Sequence, residues 1–213
     1  MIRKLSPEDQ LVVLSPETEL LEVYDALPPG LLPPFPPVEL PGGVGGLVLQ
    51  GGFGQTFFFP SEVLGLTLLT HRGRLLRLGG EVVKNVQGYD LIRPVVGSFG
   101  YLGELRELIV RLRPARSYAL FRLPGRLEEA PKARFLFELE GELYALAAGH
   151  PKEVEAFGQR FGGALSPPLD LRSQFPEGIG PGPGPLRDLR YRWANGGSPP
   201  PPPPHFAALA EVL

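Results

Sequence analysis

From residue 40 to residue 61 the chain carries no formal charge, yet within this run stand Gly42, Gly43, Gly45, Gly46, Gly51, Gly52 and Gly54 together with Pro41 and Pro60. The length and the lack of charge are those of a membrane span. A spanning helix, however, needs about 20 mostly apolar residues, and each glycine costs about 1 kcal/mol relative to alanine in a helix. The run is therefore expected to be a system of glycine-rich loops. A second cluster, Gly97-Ser98-Phe99-Gly100-Tyr101-Leu102-Gly103, repeats the pattern downstream. Closely spaced glycines let backbone N–H groups converge on an anion, the nest geometry that cradles phosphate; they also serve as plain tight turns.

Short periodic segments flank these loops. Residues 10–14 read as a strand, and Ser15 as N-cap with Pro16 at the first helical position predicts a helix to Ala26, with Leu20, Leu21, Tyr24 and Leu27 on its buried stripe. Residues 63–70 and 75–78 are apolar and separated by Thr70-His71-Arg72-Gly73-Arg74, which predicts a hairpin with glycine in the turn. Residues 104–113 alternate, with Leu105 leading in, Leu108, Val110 and Leu112 on one face and Glu107, Ile109, Arg111 and Arg113 on the other, a half-buried strand that Pro114 ends. From Tyr118 onward, strands are expected at 118–123, 134–140 and 142–147. A helix follows from Pro151 to Phe161, with His150 at its N-cap, Val154, Phe157 and Phe161 inward, and Gly162 just past its end. Residues 166–184 and 196–204 are rich in proline and glycine, and Pro199 to Pro204 predict a polyproline II spacer.

Glycine and proline number 28 and 27 of 213 residues, about a quarter, near the range of roughly 25–30% where composition begins to signal disorder. Against that, 43% of residues are hydrophobic and 21% charged, which is the balance of a folded chain. The reading is an α+β protein, residues 1–115 forming one unit, 116–195 a small α+β lobe, and 196–213 a proline-rich spacer with a C-terminal helix.

A net charge of −2 supplies no basic field for nucleic acid. The absence of cysteine excludes disulfides, thiolate nucleophiles and iron–sulfur clusters held by this chain. The three histidines, His71, His150 and His205, are far apart and lack ligand spacing, so no metal site is expected. The first residues are charged rather than apolar, and no signal peptide or membrane span is read, so a cytoplasmic location is expected. One methionine, two asparagines (Asn85 and Asn195) and no cysteine match the depletion of labile residues in thermophiles. No Walker-type or G-x-G-x-x-G phosphate loop and no G-x-S-x-G elbow is present.

Between the two glycine clusters runs Gly79-Gly80-Glu81-Val82-Val83-Lys84-Asn85-Val86-Gln87-Gly88-Tyr89-Asp90-Leu91. With Gly97-Ser98-Phe99-Gly100-Tyr101-Leu102-Gly103, it closely resembles the K-N-V-x-G-Y-D-L … G-S-x-G-x-L-G signature of the FAD-linked oxidases. These carry a flavin domain of the vanillyl-alcohol-oxidase or PCMH type, and within them the similarity is greatest to the FAD-binding E subunits of bacterial glycolate oxidases. Pro36-Pro37 through Gly45-Gly46 is similar to the family's upstream loop, and the resemblance covers roughly residues 5–115.

The resemblance implies the second lobe of a PCMH-type FAD-binding domain, joined to a small α+β cap-like lobe. By position it makes Gly45, Gly46, Gly97, Ser98, Gly100, Leu102 and Gly103 candidate FAD contacts. Asn85, Gly88, Tyr89 and Asp90 would form the wall of the site, and Lys84 would supply a positive charge beside phosphate. Tyr89 and Asp90 read equally well as buried hydrogen-bonding groups that fix the loop. It further implies flavin-dependent oxidation of glycolate to glyoxylate, with larger FAD-containing and iron–sulfur subunits as partners; no residue is assigned a catalytic role. The sequence departs from the family in three respects. It starts after the point where the family's R-G-G-G-T-like lobe ends, its C-terminal end is cut short, and Ser61-Glu62 stand where the family has an arginine–aspartate pair. Those departures, with the triplet Phe57-Phe58-Phe59 read as exposed interface anchors, motivate an alternative: an assembly subunit that keeps the flavin-domain fold without binding FAD independently.

Overall fold

The computed structural model describes residues 1–53, 59–81, 91–124, 131–174, 181–188, 193–195 and 204–213. The first half contains β1 (Ile2–Ser6), β2 (Leu11–Leu14), α1 (Leu20–Ala26), β3 (Gly30–Leu32), β4 (Val38–Glu39) and α2 (Gly43–Leu49). It continues with β5 (Val63–Leu69), β6 (Leu75–Gly79), α3 (Ile92–Val95), β7 (Glu104–Arg111) and β8 (Arg113–Ala115). Five of these strands form an antiparallel sheet in the order β1-β2-β7-β5-β6. The β5–β6 hairpin turns at Gly73, as its sequence requires.

The alternation in β7 does place Leu108, Val110 and the following Leu112 in the main core, and Leu105 joins them across a shift of register in the pairing with β5. Its opposite face is covered as well: Ile109 packs with Leu11, Val13 and Leu64 in a separate small cluster. A strand expected to be half-buried is thus buried on both faces at its centre.

Helix α1 is shorter than its sequence suggests. It begins at Leu20 with Glu19 in the N-cap position, and Ser15–Thr18 forms a turn closed by the Thr18 N–H and hydroxyl donating to the Ser15 carbonyl at 3.0 and 2.7 Å. The helix is capped from a distance. Glu39 on β4, only 2% exposed, accepts from the N–H groups of Leu20 and Leu21 at 3.2 and 3.0 Å. A carboxylate here satisfies donors that have no partner within the helix and lies at the positive end of its dipole. Glu39→Ala is expected to lower stability by about 1–2 kcal/mol, the cost of a lost cap, measured by denaturant unfolding.

The glycine-rich run is not loop throughout, since residues 43–49 form α2. Val44, Leu47 and Val48 recur at helical spacing and are buried, so tertiary packing offsets the poor propensity. Glycine is required here by close approach. A Cβ at Gly43 would lie 2.4 Å from the Thr18 carbonyl oxygen, and one at Gly45 would lie 2.5 Å from the Pro16 Cβ.

The second half comprises β9 (Ser117–Leu123), β10 (Phe135–Leu139), β11 (Glu142–Gly149), α4 (Pro151–Phe161), β12 (Ala164–Leu165), β13 (Leu169–Asp170), β14 (Pro181–Asp188), β15 (Trp193–Asn195) and α5 (Pro204–Val212). Six strands form a sheet in the order β12-β9-β11-β10-β14-β15. Helix α4 begins and ends where its sequence places it. His150 accepts from the Lys152 N–H, Glu153 reaches back to the His150 N–H, and Gly162 closes the end in the left-handed conformation. Phe121, Leu123 and Val154 pack with Phe157 and Phe161 between α4 and the sheet.

Several expectations are corrected, two of them by strand pairing that spans the chain. Within the proline- and glycine-rich region, Leu169–Asp170 pairs in parallel with β4, and Pro181–Asp188 pairs with β10. Pro204, expected in an extended spacer, is instead the first residue of α5, where its missing N–H costs nothing; Pro199 to Pro203 lie outside the described residues. Phe59, expected at the surface, is fully buried, while Phe57 and Phe58 lie outside the described residues. Among the described residues no helix is long and apolar enough to cross a membrane.

The two sheets share one core. Phe53, at the end of the glycine run, meets Phe135 and Phe137 of β10 edge-on at centroid distances of 6.3 and 5.1 Å, and Phe137 stacks on Tyr144 at 5.4 Å. Beside this cluster Glu62, 5% exposed at its side chain, accepts from Arg113 Nε and Nη2 at 3.0 and 2.7 Å and lies 3.8 Å from Arg134 Nη2.

Candidate functional site

The structure brings the two glycine clusters together. The segment 97–103 follows α3 and docks on the C-terminal end of α2: the Gly97 and Phe99 N–H groups donate to the carbonyls of Val48 and Leu49 at 3.0 and 2.8 Å. The turn closes on itself through Tyr101 N–H to Ser98 O and Gly103 N–H to Gly100 O, at 3.0 and 3.1 Å. Gly103 is pressed onto the end of β5, where a Cβ would lie 2.3 Å from the Leu69 carbonyl oxygen. Leu102 is 1% exposed and packs in the main core. Lys84, Asn85, Gly88, Tyr89 and Asp90 lie outside the described residues.

Whether these residues suit a flavin nucleotide turns on which polar groups are still free. Most amides are already committed. Val44 N–H donates to Thr18 O at 2.9 Å, Gly45 N–H to Pro16 O at 2.7 Å, and Gly46 N–H to Gly42 O at 2.9 Å. The Ser15–Thr18 turn thus lies across the start of α2, and what Gly45 and Gly46 provide is closeness of packing rather than free donors.

The second cluster is different. Ser98 is 1% exposed, and its hydroxyl has no hydrogen-bond partner among the described residues. A buried hydroxyl without a partner costs about 1–3 kcal/mol, a debt that a ligand acceptor would settle. Among the described residues Gly100 has open space on its side-chain face, where a Cβ would meet only the Gly103 carbonyl oxygen at 4.0 Å. The 97–103 turn therefore suits a polar ligand such as the nucleotide portion of FAD.

Sequence reasoning missed two features here. His71 Nε2 hydrogen-bonds the Tyr101 carbonyl at 3.1 Å, which sets the tip of the β5–β6 hairpin, with exposed Arg72 and Arg74, beside the glycine turn. No local signal announces that neighbour, because the contact spans 30 residues. The second is Glu62. Its carboxylate is turned to Arg113 and Arg134, contacts 51 and 72 residues away that no local pattern announces.

Residues 120–196 match a family of unknown function, DUF5639. Glycolate oxidase subunit GlcE of Escherichia coli is 52% identical over 62 residues, 28% of this chain and 18% of that protein. Glycolate oxidase subunit GlcD of Bacillus subtilis is 48% identical over 52 residues, 24% of this chain and 11% of that protein. An uncharacterised FAD-linked oxidoreductase of Mycobacterium tuberculosis is 32% identical over 118 residues, 53% of this chain and 26% of its own length. The matched part of this chain thus spans about a quarter or less of each of these relatives. An alkyldihydroxyacetonephosphate synthase structure superposes with a TM-score of 0.51 at 11% identity, covering 78% of this chain and 42% of that one. The chain is thus similar over part of its length to GlcE and to other FAD-linked oxidases, and its two antiparallel sheets around a shared core have the fold of an FAD-linked oxidase of the PCMH type.

Proposed function

We propose that this chain is a flavin-domain subunit of a glycolate oxidase-type complex and takes part in oxidising a 2-hydroxy acid, glycolate, to glyoxylate. The observation that carries this reading is the 52% identity to GlcE together with a Gly97–Gly103 turn that holds an unpartnered buried hydroxyl. FAD, when bound, supplies the hydride acceptor of such an oxidation. The chain's own part is to bind and orient. Ser98 donates or accepts one hydrogen bond in a dry setting, and the open face at Gly100 lets a ligand approach the backbone. The chain has no cysteine, so an iron–sulfur relay and its thiolate ligands belong to partner subunits, alongside a larger FAD-containing one.

A second reading is favoured by one specific observation, the commitment of the amides of Val44, Gly45, Gly46, Gly97, Ser98, Phe99, Tyr101 and Gly103 to carbonyls of the chain itself. Under it the chain is an assembly subunit that keeps the fold without taking up FAD by itself.

Incubation of the purified chain with FAD separates the two. Flavin absorbance that survives desalting, and a stabilisation of about 2.7 kcal/mol at 100 times Kd, are expected for the first reading. Ser98→Ala sharpens the test, because its effects on stability and binding have opposite signs. Removing an unpaired buried hydroxyl is expected to leave the ligand-free protein as stable or more so, while weakening FAD binding roughly tenfold, about 1.4 kcal/mol. A colourless protein with no FAD-dependent change in Tm overturns independent flavin binding and leaves the assembly reading.

A further inference from the structure

A cleft of about 510 Å³ opens where α1, the Pro37 strap, β9 and the residues following α4 meet. A volume of this size lies within the roughly 300–1,000 Å³ typical of sites for small organic ligands. Its walls are apolar, with Leu120, Leu165 and Pro168 facing the rings of Tyr24 and Tyr118, which meet edge-to-face at 5.5 Å. Tyr118 and Leu165 are 41% and 75% exposed, so two of the most exposed large apolar side chains of the described residues line one cleft.

The polar groups are few, and their states differ. The Tyr24 phenol is buried and donates to the Phe35 carbonyl at 2.5 Å, so it is spent. Asp25, on the exposed side of α1, is the one formal charge among the described lining residues, and it has no ion pair or hydrogen bond among them. The Tyr118 phenol likewise has no partner among the described residues. Burial, and then the negative charge of Asp25, hold this phenol above its ordinary pKa, and at neutral pH it offers a cation the face of a neutral ring.

We propose that this cleft is a binding site for an organic cation with an apolar body, an aryl or alkyl ammonium. The apolar part lies against Leu120, Leu165 and Pro168, and the charge is held between the Asp25 carboxylate and the face of the Tyr118 ring. Each part is suited to its task. A ring face attracts a cation within about 6 Å of its centroid, and a nearby carboxylate adds charge pairing. The same carboxylate repels a 2-hydroxy acid, so the ligand of this cleft is not the substrate proposed above.

The test titrates the full chain at pH 7 with benzylammonium and, as the anionic counterpart, benzoate, following the Tyr118 ring resonances by NMR and affinity by calorimetry. Benzylammonium is expected to bind and to shift the Tyr118 signals, benzoate to bind not at all, and Asp25→Asn to weaken benzylammonium about tenfold. Asp25 lies exposed near the C-terminal end of α1, where losing a negative charge does not oppose the helix dipole, so the variant folds. Tyr118→Leu keeps the wall apolar and removes the ring, and an affinity loss is expected there too. Equal binding of benzoate and benzylammonium, unchanged affinity in Asp25→Asn, or no binding of benzylammonium each overturns the proposal.

Discussion

Replacement of Phe53 by alanine is expected to destabilise the protein by about 3–5 kcal/mol, the cost of deleting a fully buried phenyl ring from a core that collapses only in part. Phe53 is 1% exposed and is the ring through which the glycine-rich segment meets Phe135 and Phe137 of the second sheet. For a chain of this size the loss corresponds to a fall in Tm of roughly 10 °C or more. It should appear in a single unfolding transition, because the cavity opens between the two sheets and both lose packing. Phe137→Ala alone should cost a similar amount, and the double variant less than the sum, since the two rings touch. A Phe53→Ala protein that loses under about 1 kcal/mol, or that melts one half separately from the other, would sink the single shared core.

Glu62→Gln carries the second large effect. The substitution keeps the shape and removes the charge that Arg113 engages through two nitrogens and that Arg134 approaches at 3.8 Å. Breaking a buried ion pair by removing one partner costs about 3–5 kcal/mol; with the Arg113 side chain 34% exposed, about 3 kcal/mol is expected here. A double-mutant cycle with Arg113→Gln isolates the pair: a coupling of at least about 1 kcal/mol is expected, and additive effects would show that the two side chains do not stabilise one another. Glu62 precedes β5 of one sheet, and Arg134 directly precedes β10 of the other.

Much of this architecture can be read from local pattern. In the first sheet β7 follows from alternation and β2, β5 and β6 from short apolar runs, the β5–β6 hairpin from Gly73, and α4 from His150-Pro151 at one end and Gly162 at the other. The glycine turn at Gly97–Gly103 is legible as a motif, and it is where the unpartnered Ser98 hydroxyl is found. Other features were hidden because their partners are far away in sequence. Ser15 is a good N-cap by residue type, but the cap of α1 is Glu39, a residue 19 positions from the Leu20 it caps. The run 43–49 is a poor helix by composition and becomes one by burying Val44, Leu47 and Val48. Phe59 in an aromatic triplet reads as an anchor for a partner, and it is consumed by the chain's own core.

The sequence by itself determined the class of the protein, the positions of β2, β5, β6, β7, β9, β10, β11 and α4, and the glycine turn that aligns it with FAD-linked oxidases, because each rests on periodicity, capping or a motif within a few residues. Only the tertiary structure decided which donors and acceptors remain free. It placed the Ser15–Thr18 turn across the glycines of α2 and left the Ser98 hydroxyl without a hydrogen-bond partner among the described residues. It also turned Glu62 inward to two arginines and opened the Asp25–Tyr118 cleft. The reason is physical: a hydrogen bond or ion pair depends on distance in space, and residues 19 to 51 positions apart meet only once burial of the shared core has brought their strands together.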